Sequence, residues 1–320
     1  MVNAPLNVLL KGITFEAERI NTYTLQAIDG GALPAFTAGA HIELHLAPSL
    51  IRSYSLTNDP AERHRYVIAV KHEVSGRGGS AHVHARLKVG DVLQVSAPHN
   101  NFVYDEGKHA SIFIAGGIGI TPILSMMRRA TALGRRWSLH YTSRTRRDAA
   151  FVAEIDALAA ASGSEAHIVF DQEAGGVALD IAAIVARASD DTHVYCCGPL
   201  PMLEAFRATT RSRPPHTVHL EYFSPVQEAA TAGGFEVRLA KSGRSVAVAP
   251  GKTILETLLD AGLPVSYSCC EGTCGTCETT VIEGVPDHRD VYLTDEEHAA
   301  NRQIMICCSG AKTPLLVLDL

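Results

Sequence analysis

Short runs in which apolar and polar residues alternate fill the first third of the chain. Within residues 41–46, Ile42, Leu44 and Leu46 fall on one face of an extended strand. Residues 66–70 and 92–95 show a similar alternation, and Gly, Pro and Asn residues separate these runs. Many short strands broken by turn residues predict an antiparallel β-barrel over residues 1–105.

The pattern changes beyond residue 105. Apolar runs at 111–115, 138–141, 167–170 and 193–196 alternate with segments long enough to form helices. This alternation predicts an α/β domain over residues 106–223, with a parallel sheet covered by helices on both faces. Residues 224–234 are small and polar and contain Pro and Gly, so they are predicted to form a linker.

The last segment, residues 235–320, begins with strand-like runs at 235–240 and 245–248. A helix is predicted at 253–261, where Ile254, Leu255, Leu258 and Leu259 recur at helical spacing. A chain of 320 residues with these three patterns is predicted to be multidomain.

Charge and hydropathy exclude several classes of protein. A formal net charge of −6 gives no electrostatic reason to expect a nucleic-acid partner. No run approaches the ~18 apolar residues of a membrane helix, and the first residues lack the basic and apolar regions of a signal peptide. We therefore expect a cytoplasmic protein without a membrane partner.

The cysteines are crowded into one region, since six of the eight lie between residues 269 and 308. Such crowding indicates a metal or cluster site, whereas a disulfide scaffold would spread its cysteines. Three cysteines follow C-x₄-C-x₂-C spacing and a fourth comes after 29 intervening residues, which is typical of a plant-type [2Fe–2S] site. Cys270 and Cys308 fall outside this spacing. The predicted ligands are Cys269, Cys274, Cys277 and Cys307.

Two other interpretations of these cysteines stay open at this point. Structural zinc sites favour paired C-x₂₋₄-C knuckles with a second matching pair, whereas Cys307 stands alone after a long gap. The cysteines could also pack in a core without metal. The small residues between the ligands, including Gly272 and Gly275, favour the cluster because they let backbone N–H groups wrap around its sulfurs.

Residues 235–320 resemble a plant-type ferredoxin domain, which implies a β-grasp fold. Together with the runs at 286–290, 303–307 and 316–320, the whole chain resembles the family of phthalate dioxygenase reductase and vanillate O-demethylase reductases. In that family a flavin domain, a nucleotide domain and a ferredoxin domain follow in this order. The resemblance implies FMN as the flavin, although the motifs themselves do not exclude FAD.

A flavin needs an aromatic surface, hydrogen-bond donors and a phosphate pocket, and two short motifs of the first domain offer them. Arg52 can bind phosphate through its planar guanidinium; Tyr54 can lie against the ring and Ser55 can bond near flavin N5. Glycines at the start of a predicted helix can bring N–H groups to phosphate. Taken separately, each motif is more often a surface strand or a turn, but their occurrence together, in this order and upstream of a nucleotide motif, favours a flavin site. The predicted flavin-binding residues are Arg52, Ser53, Tyr54, Ser55, Lys71, Gly78, Gly79 and Ser80.

A glycine-rich turn between a strand and a helix marks the predicted nucleotide site, with an ordinary turn as the alternative. Thr121 is predicted to cap the helix and Pro122 to occupy its first position. Arg144 is a candidate for cofactor phosphate, and Asp171 would repel a 2′-phosphate and so favour NADH. The predicted residues here are Gly116, Gly117, Gly119, Thr121, Pro122, Arg144 and Asp171.

The family resemblance adds residues close to the reacting atoms. It implies that Cys197, Gly198 and Pro199 border the nicotinamide, with Cys197 packing near the reacting carbon. It also implies that Phe223 covers the flavin ring until nicotinamide displaces it, and a plain core aromatic is the alternative. Ser55, Cys197 and Phe223 are thus the predicted catalytic residues.

The resulting hypothesis is an NADH-dependent oxidoreductase that moves electrons from NADH to FMN, then to its [2Fe–2S] cluster and on to the Rieske centre of a terminal oxygenase in aromatic catabolism. The chain is expected to be monomeric. Alternatives are a reductase of the same build with a non-aromatic or non-Rieske acceptor, or an iron–sulfur sensor without catalytic activity. The fifteen histidines are interpreted as surface or capping residues, because no carboxylate or cysteine frames them in sequence.

Overall fold

The computed structural model describes residues 5–47, 50–173, 175–176 and 178–320. Residues 1–4, the start of the segment expected to lack a signal peptide, lie outside them. The chain divides into two compact units, with the division between Glu221 and Tyr222. Both the barrel and the parallel sheet belong to the first unit.

The first unit begins with an antiparallel sheet in the order β4-β3-β6-β1-β2-β5. An isolated bridge between Leu56 and Ile68 joins its two edges, so that the sheet closes into the predicted barrel. Ile42 and Leu44 point into its core, as their alternation predicts. Its elements are Leu6–Ala17 (β1), Ile20–Ala27 (β2), His41–Ala47 (β3), Leu50–Ser55 (β4), Tyr66–Lys71 (β5), Gly79–Arg86 (α1) and Val92–Val95 (β6).

The second half of this unit is a parallel sheet in the order β11-β10-β7-β8-β9. Five of the six residues of β7 are buried, as expected for a central strand covered on both faces. The elements are Ser111–Gly116 (β7), Ile120–Ala132 (α2), Trp137–Ser143 (β8), Val152–Ser162 (α3), Glu165–Phe170 (β9), Ile181–Val185 (α4), His193–Cys197 (β10), Leu200–Thr210 (α5) and Val218–Glu221 (β11).

The unit from Tyr222 onward contains a mixed sheet in the order β13-β12-β18-β14-β16, in which only the β12–β18 pair is parallel among the described strands. Strands β15 and β17 form a separate pair. The elements are Phe235–Leu239 (β12), Ser245–Val248 (β13), Ile254–Asp260 (α6), Glu278–Glu283 (β14), Pro286–Asp287 (β15), Asp295–Ala300 (α7), Gln303–Met305 (β16), Gly310–Ala311 (β17) and Leu315–Leu318 (β18).

Local sequence explains where helix α6 lies. Thr253 and Glu256 form a reciprocal capping box at its start, which supplies partners for two N–H groups that the helix leaves free. Of the four residues that helical spacing placed on one face, Ile254, Leu255 and Leu258 are buried, whereas Leu259 is exposed. The predicted fold class, a barrel, an α/β sheet and a β-grasp domain, is confirmed.

The segment predicted as a linker, residues 224–234, is partly fastened to the second unit. Ala230 N donates to the Cys308 carbonyl oxygen at 2.7 Å, and Gly234 N donates to the Val248 carbonyl oxygen at 2.8 Å. These contacts fix its second half to the ferredoxin sheet. In the described part of the chain, no helix combines the length and apolarity that a membrane span requires.

Candidate functional site

Arg52 of β4 lies against the start of helix α1, where the sequence predicts a phosphate site. Its Nη2 donates to the Arg77 carbonyl oxygen at 2.9 Å, just before the helix. Gly78 has a positive φ of 81°, and a Cβ at Gly79 would lie 2.5 Å from Arg52 Cγ. The glycines therefore bring a guanidinium and helix N–H groups side by side, an arrangement that fits a phosphate.

The other residues of β4 alternate in environment. Tyr54 packs against the barrel core, where burial raises the pKa of its phenol well above the usual value. Ser55 is buried. Ser53 Oγ is also buried, and it has no hydrogen-bond partner among the described residues. Because a buried hydroxyl normally has a partner, the orphaned Ser53 Oγ fits a strand that binds a polar cofactor.

Lys71 and Ser80 are both engaged with Glu73 at the rim of the same site. Lys71 Nζ lies 2.7 Å from Glu73 Oε1, and Glu73 N donates to Ser80 Oγ at 3.0 Å. These contacts bring the end of β5 to the start of α1. A direct flavin contact of either side chain stays a prediction.

The glycine turn after β7 packs tightly on the loop after β10, the neighbouring strand. A Cβ at Gly119 would overlap the Cys197 carbonyl oxygen, and one at Gly116 would lie 2.5 Å from Pro199 Cδ. A Cβ at Gly198 would lie 2.6 Å from a methionine sulfur. At Gly119 glycine is required because two backbones meet there, at the carboxyl edge of the sheet, which is the usual ligand edge of such folds.

The predicted role of Thr121 as a helix cap is wrong. Helix α2 begins at Ile120 and no side chain caps it. Thr121 Oγ1 donates to the Ile118 carbonyl oxygen at 2.9 Å, and Pro122 occupies the third helical position. A short 3₁₀ turn over Gly117–Gly119 precedes the helix, which therefore starts two residues earlier than expected.

Arg144 and Asp171 follow β8 and β9, whose ends share the edge of the glycine turn. Gln172 N donates to the Arg144 carbonyl oxygen at 2.9 Å, and Thr142 Oγ1 lies 3.4 Å from Asp171 Oδ2. Both predicted residues are exposed. The structure also places Arg146, to which the sequence assigned no role, 4.7 Å above the Phe170 ring, at the same edge.

Cys197 and Glu221 are paired across β10 and β11. Burial raises the pKa of the Cys197 thiol well above its usual value, so it stays protonated and is no nucleophile. Burial also raises the pKa of Glu221 to about 8, and its Oε2 is buried without a partner in the described part of the chain. Sequence reasoning missed Glu221, although it directly precedes two aromatic residues.

Phe223 belongs to the second unit, and 39% of its side chain is exposed. Its predicted position over a flavin ring stays a prediction.

The four predicted ligand cysteines converge in the second unit. Hydrogen bonds from Cys274 and Cys307 hold the pKa of Cys269 below its ordinary value, and Glu271 N adds another at 3.3 Å. Cys307 also contacts Cys277. Thiols brought together in this way suit a cluster that binds thiolates.

The two other cysteines of this region make different contacts. Cys270 is exposed, and its Sγ lies 3.6 Å from the Ser268 carbonyl oxygen. Cys308 is buried, and its Sγ lies 3.8 Å from the Met305 carbonyl oxygen. Cys308 also contacts Cys307, and the prediction that neither Cys270 nor Cys308 is a ligand stays a prediction.

The loop between the ligands is shaped by glycines. Gly272 and Gly275 have positive φ angles of 72° and 75°. A Cβ at Gly272 would lie 2.5 Å from Cys308 Sγ, and one at Gly275 would overlap the ring of Tyr292. The loop therefore wraps closely around the thiols, and its residues fit a [2Fe–2S] cluster.

Asp290 fastens this loop to the segment that carries the fourth ligand. Its side chain is fully buried and accepts hydrogen bonds from Leu293 N at 2.9 Å and Ser309 Oγ at 3.3 Å. Next to it, Val291 N donates to the Gly272 carbonyl oxygen at 3.1 Å. The run around Asp290 contributes to the family resemblance, but the sequence predicts no role for Asp290 itself. An acidic residue after a strand is too common to indicate a structural role.

Three family models match the chain. They describe an oxidoreductase FAD-binding domain at residues 18–104, an oxidoreductase NAD-binding domain at 113–208 and a 2Fe-2S iron-sulfur cluster binding domain at 237–312.

Similar proteins match over nearly the full length. Phenoxybenzoate dioxygenase subunit beta of Ectopseudomonas oleovorans is 51% identical over 99% of this chain and 98% of that protein. Tetrachlorobenzoquinone reductase of Sphingobium chlorophenolicum is 46% identical over 98% of each. The solved structure of phthalate dioxygenase reductase, described as modular for electron transfer from pyridine nucleotides to [2Fe–2S], is 39% identical and covers 99% of this chain and 98% of that one, with a TM-score of 0.77.

Proposed function

This chain belongs to the phthalate dioxygenase reductase family, and from that premise we propose that it supplies electrons from NADH to the Rieske centre of a terminal oxygenase acting on an aromatic compound. It is an oxidoreductase with flavin, NAD and [2Fe–2S] domains. The observation that carries the proposal is the convergence of four thiols in the second unit. The first unit of the same chain holds the glycine turn after β7 and the loop after β10, the two loops predicted to bind a nucleotide. When bound, the flavin takes a hydride from NADH and releases its electrons singly.

The residues of the first unit would bind and orient the two nucleotides. We propose that Arg52 and the N–H groups of Gly79 and Ser80 bind flavin phosphate, since guanidinium and helix start lie together. Ser53 Oγ supports a polar cofactor contact on the same strand, because it lacks a partner among the residues described. Tyr54 and Ser55 would face the flavin ring.

The loops after β7 and β10 would bind the pyrophosphate and border the nicotinamide. Gly116, Gly117 and Gly119 leave N–H groups open to an anion, as such turns do elsewhere. The buried thiol of Cys197 would exclude water beside the reacting carbon. Asp171, exposed at the same edge, would accept from ribose hydroxyls and repel a 2′-phosphate, which supports NADH over NADPH.

We further propose FMN as the flavin, because the domain order resembles that of phthalate dioxygenase reductase. The matched family model is described as FAD-binding. Heat release of the flavin followed by chromatography decides between the two, and release of FAD would contradict this proposal while leaving the reductase function intact.

The partner would dock on the face of the ferredoxin unit that carries the cysteine loop. Cys270 is exposed there, and Tyr292, with its ring on Gly275, is 39% exposed. Replacing Tyr292 by Ala should slow electron transfer to the oxygenase more than NADH oxidation by a small acceptor. We also propose a monomer located in the cytoplasm, where NADH is supplied and crowded thiols stay reduced.

The central experiment records visible spectra of anaerobic protein before and after NADH, in the wild type and two cysteine variants. Wild type should show bleaching of both flavin and cluster. Cys277→Ser removes a ligand and should lose cluster bleaching and bound iron while keeping flavin reduction. Cys270→Ser, the matched non-ligand control, should behave as wild type; equal iron loss in both variants would contradict the assigned ligand set.

One relative favours a second acceptor class. Tetrachlorobenzoquinone reductase, 46% identical over nearly the full length, is named for a quinone substrate. Purified protein should therefore be assayed with a candidate oxygenase and aromatic acid, and separately with a halogenated quinone. Aromatic-dependent NADH oxidation supports the oxygenase partner, whereas turnover with the quinone alone supports the second candidate.

A further inference from the structure

Cys308 directly follows Cys307, the fourth predicted ligand, and lies outside the ligand spacing. Only 1% of Cys308 is exposed. Its Sγ contacts Cys307 and lies 3.8 Å from both the Met305 carbonyl oxygen and Ser309 Oγ. A second thiol is therefore buried beside a predicted ligand, where a polar group can act on the ligand sulfur.

The cysteine loop, residues 269–277, contacts this thiol from another side. Gly272 of the loop has a positive φ of 72°. A Cβ added to Gly272 would lie 2.5 Å from Cys308 Sγ and 2.8 Å from Asp290 Cα. The Cys308 thiol thus packs on the loop that carries three of the predicted ligands, while its own backbone follows the fourth. This packing keeps the sulfur close to the candidate cluster site.

A thiol offers one weak S–H donor, and the acceptors around Cys308 limit where that proton points. The Met305 carbonyl oxygen already accepts hydrogen bonds from Cys308 N at 3.3 Å and Ser309 N at 3.0 Å, which uses both of its lone pairs. Ser309 Oγ already accepts from Arg289 N at 3.1 Å. Cys307 Sγ is the neighbouring acceptor that becomes a thiolate when it binds iron, so it attracts the S–H most strongly.

We propose that the Cys308 thiol donates a hydrogen bond to Cys307 Sγ and thereby raises the reduction potential of the [2Fe–2S] cluster. When one electron is added, the ligand sulfurs become more negative, so a donor to one of them stabilises the reduced state more than the oxidised state. The proton stays on Cys308 Sγ in both states. Cys308 acts through Cys307 and is a positioning residue. The inference rests on the ligand set proposed above and adds a residue outside it.

Thr276 offers a comparison within the same loop. Cys274 Sγ lies 3.3 Å from Thr276 Oγ1, but Thr276 is exposed. Water can therefore replace the hydroxyl as a donor to that sulfur. Cys308 is buried, so its thiol is not readily replaced by water. We expect the buried thiol to affect the potential more than the exposed hydroxyl does.

The test is an anaerobic redox titration of the holoprotein, with flavin bound, in which electron paramagnetic resonance measures the reduced cluster. Cys308→Ala removes the donor and should lower the ratio of reduced to oxidised cluster at a fixed potential by about threefold. This change equals a fall of about 30 mV in the one-electron reduction potential. Cys308→Ser supplies a stronger O–H donor and should shift the potential in the opposite direction.

Infrared difference spectra give a second readout that does not depend on activity. The S–H stretching band of Cys308 should move to lower frequency when dithionite reduces the cluster, because the hydrogen bond to Cys307 becomes stronger. This feature should be missing from the difference spectrum of Cys308→Ala.

Thr279→Val is the matched structural control. Thr279 is buried, and its Oγ1 donates to the Cys277 carbonyl oxygen at 3.2 Å. The variant loses a hydrogen bond that involves the backbone of a predicted ligand and not its sulfur. It should lower stability while changing the ratio of reduced to oxidised cluster by less than about twofold. Thr276→Val should also change this ratio by less than Cys308→Ala does.

Iron and sulfide analysis verifies that each variant holds the cluster, and Cys308→Ser alone decides should Cys308→Ala not fold. The proposal is overturned if the folded Cys308 variants keep the wild-type potential or if Thr279→Val shifts it equally. It is also overturned if folded Cys308→Ala loses its iron, because Cys308 would then be a ligand. These outcomes leave the proposed reductase function intact, whereas wild type without iron would overturn both.

Discussion

Two buried carboxyl groups, one in each unit, differ in the partners they have. Asp290 of the ferredoxin unit accepts hydrogen bonds from Leu293 N, Ser309 Oγ and His298 Nε2. Glu221, at the end of β11, keeps a buried Oε2 without a partner in the part of the chain that is described, and burial raises its pKa to about 8.

The difference means that the Asp290 carboxylate stabilises the folded state, whereas ionisation of the buried Glu221 carboxyl destabilises it. A buried carboxylate with donors on both oxygens stabilises the segments that supply those donors. A buried carboxyl without them is penalised when ionised, and such groups cluster at functional sites. Asp290 therefore supports the cysteine loop, whereas Glu221, paired with Cys197, lies beside the loop that is proposed to border the nicotinamide.

The largest expected effect is on Asp290. Asp290→Ala leaves Leu293 N, Ser309 Oγ and His298 buried without their acceptor, so we expect the ferredoxin unit to lose about 3–5 kcal/mol of unfolding free energy. Urea titration of the holoprotein, followed by visible circular dichroism of the cluster, measures this loss.

Asp287 provides the matched control on the same run. It pairs with Arg289 at 2.7 Å on a partly exposed surface, so Asp287→Ala should cost about 1 kcal/mol or less. Equal losses in the two variants would show that partner number and burial do not distinguish these carboxylates.

Much of the cluster site could be predicted because three of its four candidate cysteines lie close together in sequence. Cys269, Cys274 and Cys277 follow one another in a single loop, and spacing alone identifies them. The hydrogen bonds of Asp290 to Leu293 N and Ser309 Oγ could not be predicted, because an aspartate is a residue type that occurs on any surface. The sequence predicts which cysteines lie together as candidate ligands, but not which residues support their loop.

The first unit shows the opposite case. The barrel and the parallel sheet follow from hydrophobic periodicity, yet its sites are assembled from the ends of several strands. Glu221 lies beside Cys197 only because β11 pairs with β10. Likewise, His109 lies beside His193 only because β7 pairs with β10. Thr121 was misassigned because a 3₁₀ turn, which periodicity does not reveal, precedes the helix.

The second prediction concerns Glu221 and pH. The folded chain holds this proton up to about pH 8, whereas the ordinary pKa is 4.5, so stability falls as pH rises between these values. Glu221→Gln keeps the shape without the ionisation, so the variant should gain about 1–3 kcal/mol relative to wild type from pH 5 to pH 8. Trp137, the only tryptophan, reports unfolding of this unit by fluorescence.

Glu204 supplies the control for that pH series. It is exposed on the helix after β10, so Glu204→Gln makes the same charge change without removing a buried acid. Its difference from wild type should stay constant across the range. A Glu221→Gln difference equally flat would mean that Glu221 finds partners in solution and resembles Asp290.

The third prediction removes one partner of Asp290 and keeps the carboxylate. Ser309 is fully buried, donates to Asp290 Oδ1 and accepts from Arg289 N at 3.1 Å. Ser309→Ala should cost about 1–2 kcal/mol, less than Asp290→Ala, because two hydrogen bonds are lost but Leu293 N and His298 keep their acceptor. The same urea titration applies, and a loss equal to that of Asp290→Ala would show that Ser309 is the actual support of the loop.

The smallest expected effect comes from His298, the most exposed of the side chains that bond to Asp290. Its Nε2 donates to Asp290 Oδ2 at 3.1 Å, and 26% of its side chain is accessible. His298→Gln can keep a donor near that oxygen and should cost about 0.5 kcal/mol, whereas His298→Leu should cost about 1–2 kcal/mol because it offers none. Cluster circular dichroism in urea compares the two variants. If they unfold together, hydrogen bonding from His298 contributes nothing to Asp290, and the contrast with Glu221 then depends on Leu293 N and Ser309 Oγ alone.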